Sequence, residues 1–232
     1  MIKISRAVLE AEEFEGVRSA FATGWLGMGS IVGEFEAALT AHFPAKHVIA
    51  VNTGTSALHL ALDTLGIGAG DEVIVPSLTF VGSFQAIAMT GAVPVPCEVH
   101  PETLCMDLAD VRRRITPRTR AVMPVHFCGS PCDMQGLQTL RDEFGLRIVE
   151  DAAHAFGSTD RGRRIGAMGD IRCFSFDTIK NITCGEGGAI VCDDDAFAAL
   201  AREKRVLGLK RDEGARYSNE RVWSYDVEHS GF

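Results

Sequence analysis

The sequence predicts an α/β fold: three α/β/α layers around a mostly parallel sheet of about seven strands. Three observations predict it. Short β-branched runs alternate with helical stretches from about residue 47 onward, the pattern of parallel strands joined by crossover helices. A chain of 232 residues with 46% hydrophobic and 23% charged content can bury a real core. No internal repeat or low-complexity segment divides it, so residues 1–232 are expected to form one large domain with an N-terminal segment.

Taken in order, HVIAV at 47–51 reads as a strand, followed by a helix from near Ser56 with apolar positions at Leu58, Leu62 and Leu65. DEVIVP at 71–76 repeats the strand signal, and a helix follows over about Phe80 to Met89. AVPVPCEV, RAVMPVHF and LRIVED supply three more strands, separated by the helical stretches DLADVRRRI and DMQGLQTLRDEFG. RCFSF at 172–176 and GGAIVC at 187–192 read as two short strands with a tight connection, which allows an antiparallel member in the sheet. From Asp194 a helical run, DAFAALAREKRVLGL, leads into the polar stretch KRDEGARYSNERVWSYD, read as a solvated helix face and loop.

Charge and cysteine usage exclude several functions. Lys+Arg number 23 against 31 Asp+Glu, a formal net charge of -8, which argues against a nucleic acid or an anionic membrane as partner. The N-terminal MIKISRAVLEAEEFEG mixes acids and bases where a secretory leader needs an apolar run, and no stretch approaches the roughly 18 apolar residues of a membrane helix. A cytoplasmic protein is expected. The seven cysteines lack paired CxxC spacing, suggest neither a disulfide framework nor a zinc site, and are read as small buried hydrophobes.

Three strand-end segments carry chemistry. In VNTGTSALHLAL at 51–62, free backbone N–H groups, hydroxyls and the positive end of a helix dipole converge on an anion site, or else Thr55 or Ser56 simply caps the helix. In IVEDAAHAFG an apolar strand ends in Glu150 and Asp151. Ligands of open α/β sheets sit beyond the carboxyl ends of strands, so one of the two acids is expected to face a crevice, with capping or surface pairing as the alternative. In CFSFDTIKNITCGEGGAIV, Lys180 lies between two apolar strands ahead of a Gly-Glu-Gly-Gly turn, where lost solvation would lower its pKa from about 10.4 as a Schiff-base amine requires. Together they suit pyridoxal 5'-phosphate (PLP): a phosphate for the helix N-terminus, a pyridine nitrogen for the carboxylate, an aldehyde for the amine. No GxGxxG follows the first strand, which removes a nicotinamide dehydrogenase.

The segments GWLGMGSIVGEFEAAL, NTGTSALHLAL, GAGDEVIVPSLTF, EDAAHAFG and FSFDTIKNITCGEGGAIV span nearly all of the chain. In order and spacing the chain resembles the DegT/DnrJ/EryC1/StrS family of sugar-nucleotide aminotransferases, within the fold-type I, aspartate-aminotransferase-like PLP enzymes. The resemblance implies that Gly54, Thr55, Ser56 and the Ser175 hydroxyl hold the PLP phosphate. By the same resemblance Phe80 stacks on the pyridine ring, Asp151 keeps the ring nitrogen protonated, and His154 contacts the ring oxygen unless it is a capping or core histidine.

Lys180 would be the Schiff-base lysine and proton shuttle. A dehydratase branch of the family carries His there, so Lys180 favours transamination. The implied reaction moves an amino group from an amino-acid donor, glutamate or glutamine, to a keto-sugar on a nucleoside diphosphate, in a homodimer. Gly24, Trp25 and Gly27 match a segment near the nucleotide-sugar site in relatives, although Trp25 could equally serve packing. The resemblance also implies an Asn-Tyr-Arg-Met-like segment and a smaller C-terminal domain, neither of which this sequence contains. A non-catalytic remnant or interaction protein on the same fold is the competing reading, since fold alone does not guarantee chemistry.

Overall fold

The computed structural model describes residues 6–167, 169–210, 217–219 and 224–232. In chain order, helices α1 (Ala11–Ala22) and α2 (Ser30–His42) precede strand β1 (His47–Val51). There follow α3 (Gly54–Thr64), β2 (Glu72–Pro76), α4 (Val81–Met89), β3 (Val93–Cys97), α5 (Leu108–Arg114) and β4 (Thr119–Val122). After a 3-10 turn at Phe127–Gly129 come α6 (Met134–Phe144) and β5 (Arg147–Asp151), then a two-residue hairpin of β6 (Thr159–Asp160) and β7 (Arg163–Arg164). The chain continues through β8 (Ile171–Ser175), β9 (Gly188–Cys192), α7 (Asp195–Lys204), β10 (Leu209–Lys210) and β11 (Asp226–Val227).

The principal sheet has seven strands in the order β1-β9-β8-β5-β4-β2-β3. β9 runs antiparallel to both β1 and β8, whereas β8, β5, β4, β2 and β3 pair in parallel. The expected antiparallel member is therefore β9.

Strand alternation divides the core into layers. Val73, Val75, Val149, Ile171, Cys173 and Ile190 face one side, where Ala57, Leu58, Ala61, Ala86, Ile87, Phe197 and Ala201 of α3, α4 and α7 cover them. Ile74, Val122 and Ile148 face the other side under α5 and α6, and Phe174, Ala189 and Val191 pack beside Leu39 and Phe43 from α2 and its end. Helices thus cover both faces, as the continuous apolar strand EVIVP requires.

Four sequence expectations need correction. α3 is capped by Thr53, whose Oγ1 accepts from the Ser56 amide at 3.0 Å, and not by Thr55 or Ser56. Cys128 and Cys184 are exposed, because the first sits with φ 51° in the 3-10 turn and the second in the loop between β8 and β9; the other five thiols are buried. That loop, residues 176–187, is longer than a tight turn. The run from Asp194 leaves the helix at Lys204, and Leu209–Lys210 pairs antiparallel with Asp226–Val227. The rest of the polar stretch, 211–216 and 220–223, lies outside the described residues, as do 1–5 of the leader reading. Among the described residues no helix is long and apolar enough to cross a membrane.

Candidate active site

The carboxyl ends of β5 and β8, which are parallel neighbours, carry the two residues on which the sequence reading rests. Asp151 closes β5 and is nearly fully buried. Its Oδ2 accepts from the Ser83 hydroxyl at 2.7 Å and its Oδ1 from the Ala153 amide at 3.2 Å. Ser83 in turn lies 2.7 Å from Thr79 Oγ1, which donates to it because the Ser83 proton is committed to Asp151. Thr79, Ser83 and Asp151 form a directed chain that leaves lone pairs on the carboxylate for another donor.

Glu150, its neighbour, points to the opposite face of the sheet, as strand alternation demands. Its Oε2 lies 3.0 Å from His126 Nε2. The Cys132 amide donates to His126 Nδ1, so the imidazole proton sits on Nε2 and is given to Glu150. Burial raises the Glu150 carboxyl above the usual range, with the His126 hydrogen bond opposing. Asp151 is therefore the acid that faces the crevice, and Glu150 belongs to the far layer.

Lys180 lies in the loop that leaves β8, its amide bonded to Asp177 O at 3.0 Å. Its side chain is half-buried, and its ammonium makes no hydrogen bond or ion pair among the described residues. The next residue, Asn181, donates to Phe156 O at 3.1 Å and ties this loop to the segment after β5. His154 in that segment reports on both neighbours. Burial lowers its proton affinity most, the Lys180 charge lowers it further, and the Asp151 carboxylate pulls the other way. One imidazole therefore feels both charges. The Cys128 amide donates to His154 Nδ1 at 3.3 Å, which leaves Nε2 with the proton in the neutral ring.

The anion end is built by close approach. The amides of Gly54 and Thr55 open α3 without a hydrogen-bond partner among the described residues. A Cβ on Gly54 would stand 2.8 Å from Ser175 Cβ and 3.2 Å from its Oγ, so only glycine lets this helix start approach the end of β8. Ser56 adds a hydroxyl that accepts from Thr53 Oγ1 at 2.9 Å. A Cβ on Gly82 would meet Thr55 Oγ1 at 2.7 Å and the Phe80 ring at 3.0 Å, which puts Thr55 and Phe80 side by side. Phe80 is the N-cap residue of α4 and its ring is 68% exposed, an open apolar face at the crevice.

These features fit PLP: paired free amides and hydroxyls for a phosphate, an acceptor-rich buried carboxylate, an aromatic face, and an amine with no competing partner. Beside them a cavity of about 960 Å³ is lined by Gly27, Met28, Asn52, Ser56, Glu186 and Arg205 among others. Trp25 is not part of that lining; its indole N–H donates to Met28 O at 3.1 Å and braces the turn.

All eight residues assigned to the cofactor from the sequence lie in strand-end segments that meet at this end of the sheet. Sequence reasoning missed Ser83, though its place one helical turn after Phe80 was the available signal, and it missed the His126–Glu150 pair, for which no local signal exists.

The chain is similar to proteins of known family and structure. The sequence model described as the DegT/DnrJ/EryC1/StrS aminotransferase family matches residues 7–229. The spore coat polysaccharide biosynthesis protein SpsC of Bacillus subtilis (strain 168) is 41% identical over 228 residues, which is 98% of this chain and 59% of SpsC. The crystal structure of DesV from S. venezuelae, in complex with a ketimine intermediate, is 43% identical with a TM-score of 0.85, covering 95% of this chain and 57% of DesV. DesI, solved in the presence of its TDP-sugar product, is 36% identical with a TM-score of 0.82, covering 88% of this chain and 52% of DesI. The chain thus spans somewhat more than half the length of these relatives.

Proposed function

The chain belongs to the DegT/DnrJ/EryC1/StrS aminotransferase family, and on that premise we propose that it is the cofactor-binding large domain of a PLP-dependent sugar-nucleotide aminotransferase. The amino group would pass from an amino acid, glutamate or glutamine, to a keto-sugar carried on a nucleoside diphosphate. The observation that supports this reading is the parallel pairing of β5 with β8, which sets Asp151 at one strand end beside the loop that carries Lys180, a loop that Asn181 ties to the segment after β5 through Phe156 O. The TDP-sugar product of DesI supports the acceptor class.

When bound, PLP supplies an electron sink conjugated to the carbon that gains or loses the amino group. The chain's own residues do the rest. Gly54 and Thr55 amides, with the Ser56 and Ser175 hydroxyls, would hold the phosphate at the positive end of α3. Phe80 would cover the ring. Asp151, kept in orientation by Ser83 and the Ala153 amide, would hold the proton on the pyridine nitrogen. His154 would offer its Nε2–H to the ring oxygen. Lys180 would hold the aldehyde carbon and would serve as the base that moves the proton at the substrate carbon. A homodimer suits the exposed apolar residues Phe14, Val17 and Phe21 of α1, a helix that buries none of its residues.

The test is reconstitution with PLP, borohydride reduction and peptide mapping. Label on Lys180 is expected. Label on another lysine, or none, removes the assignment.

A further inference from the structure

Lys180 rides on a turn that is closed almost entirely by its own bonds. Asp177 accepts the Ile179 amide on Oδ1 at 3.1 Å and the Lys180 amide on its carbonyl at 3.0 Å. At the root, Phe176 N donates to Gly187 O at 2.9 Å, and Phe176 O accepts from the Cys184 amide and the Thr183 hydroxyl, each at 3.1 Å. Among the described residues, the turn 177–182 makes a single hydrogen bond to any segment outside 175–187: Asn181 Nδ2 donates to Phe156 O at 3.1 Å.

The acceptor is a fixed point. The Phe156 ring stacks on His42 with centroids 4.8 Å apart and meets Phe43, Phe174 and Phe176 edge-on at 5.4, 6.0 and 6.0 Å. Phe156 belongs to the segment that continues from Asp151 at the end of β5. We infer that Asn181 is a positioning residue: its carboxamide clamps the Lys180 turn to that segment and so sets where the amine stands relative to the Asp151 carboxylate. This role rests on the proposed PLP reading.

A turn closed within itself moves as one piece about its root, so one bond on its far side fixes its tilt. Without the Asn181 donor the turn keeps its internal bonds but swings about Phe176 and Thr183, and the amine at the end of its flexible stem samples a wider volume. The bond is exposed and ends on a neutral carbonyl, so its loss costs the whole fold little. It acts instead on the one amine that would have to reach the cofactor's aldehyde, where small displacements are costly.

The experiment compares wild type with Asn181→Leu, which keeps the size and loses the donor. Amide hydrogen exchange is followed without cofactor. Lys180 labelling is followed by timed PLP addition, borohydride quenching and peptide mapping, with the exposed Lys46 as reference amine in the same digest. In Asn181→Leu the amides of 177–184 should exchange about 2- to 10-fold faster, with the rest of the chain unchanged, and the ratio of Lys180 to Lys46 labelling rates should fall by about the same factor. Faster exchange with an unchanged ratio would mark a structural tether and overturn the inference, and so would unchanged exchange. A wild type that labels Lys180 no faster than Lys46 removes the PLP reading itself, and the positioning role falls with it. A wild-type preference that survives in Asn181→Leu leaves the PLP reading standing and removes only the role of Asn181. Asn181→Ala, read in the same way, decides the matter should Asn181→Leu fail to fold.

Discussion

The Ser83 hydroxyl donates a 2.7 Å hydrogen bond to the Asp151 carboxylate across 68 residues of sequence, joining the first turn of α4 to the end of β5. This contact orients the acid at the floor of the candidate site while leaving it room for another donor.

Ser83→Ala removes a buried donor to a charged acceptor and leaves Asp151 with the Ala153 amide alone. Unfolding free energy in urea should fall by about 1.5–3 kcal/mol, and PLP affinity should fall with it. An unchanged urea midpoint would mean that the bond contributes nothing net.

Gly54→Ala forces a Cβ to within 2.8 Å of Ser175 Cβ and 3.3 Å of its Cα, none of which can rotate away. A loss of about 1–3 kcal/mol is expected from overpacking. Ser175→Gly in the same chain relieves the shorter contact and should recover part of that loss. Strictly additive effects in the double variant would show that the two residues do not touch.

Lys180→Ala deletes a side chain with no hydrogen bond or ion pair among the described residues. The denaturation midpoint should move by no more than about 0.5 kcal/mol equivalent, while the borohydride-trapped label disappears. A large stability loss would recast Lys180 as a structural residue.

Arg205 and Glu36 are buried together, with Arg205 also donating to Ala50 O at 3.0 Å and the Tyr217 hydroxyl donating to Glu36. Arg205→Met strands the Glu36 carboxylate without its counter-ion, and a cost of about 3–5 kcal/mol follows. Adding Glu36→Gln removes the stranded charge and should return a measurable part of it in the same urea assay.

Glu150 governs a pH effect. Burial raises its folded-state pKa above the ordinary 4.5, so the folded chain holds this proton more tightly than the unfolded chain does. The associated stability is complete below about pH 4.5 and is lost as pH rises through the raised value. Glu150→Gln has no proton to lose and keeps an acceptor for His126. Its stability relative to wild type should therefore grow as pH rises above 4.5 in urea titrations, whereas parallel curves would contradict the raised pKa.

Much of the fold was legible because the strands are apolar on both faces and separated by helical periods; HVIAV, EVIVP and GAIVC could hardly be anything but buried strands. The cofactor segments were legible for the same local reason, since each sits where a strand stops and polar or glycine residues begin. Cys128 and Cys184 misled because a cysteine's burial depends on the turn around it, and the Thr53 cap was missed because Thr53, Thr55 and Ser56 offer similar hydroxyls within one turn.

By itself the sequence determined the α/β class and the strand ends, since hydrophobic period and turn chemistry are properties of neighbours along the chain, whereas the eight residues assigned to the cofactor came largely with the resemblance to the family. Only the tertiary structure decided that Glu150 meets His126 while Asp151 takes the Ser83 hydroxyl. Those relationships depend on which strands lie side by side and on the face each residue presents, and they arise when parallel pairing of β5 with β8 and β4 brings distant segments into contact.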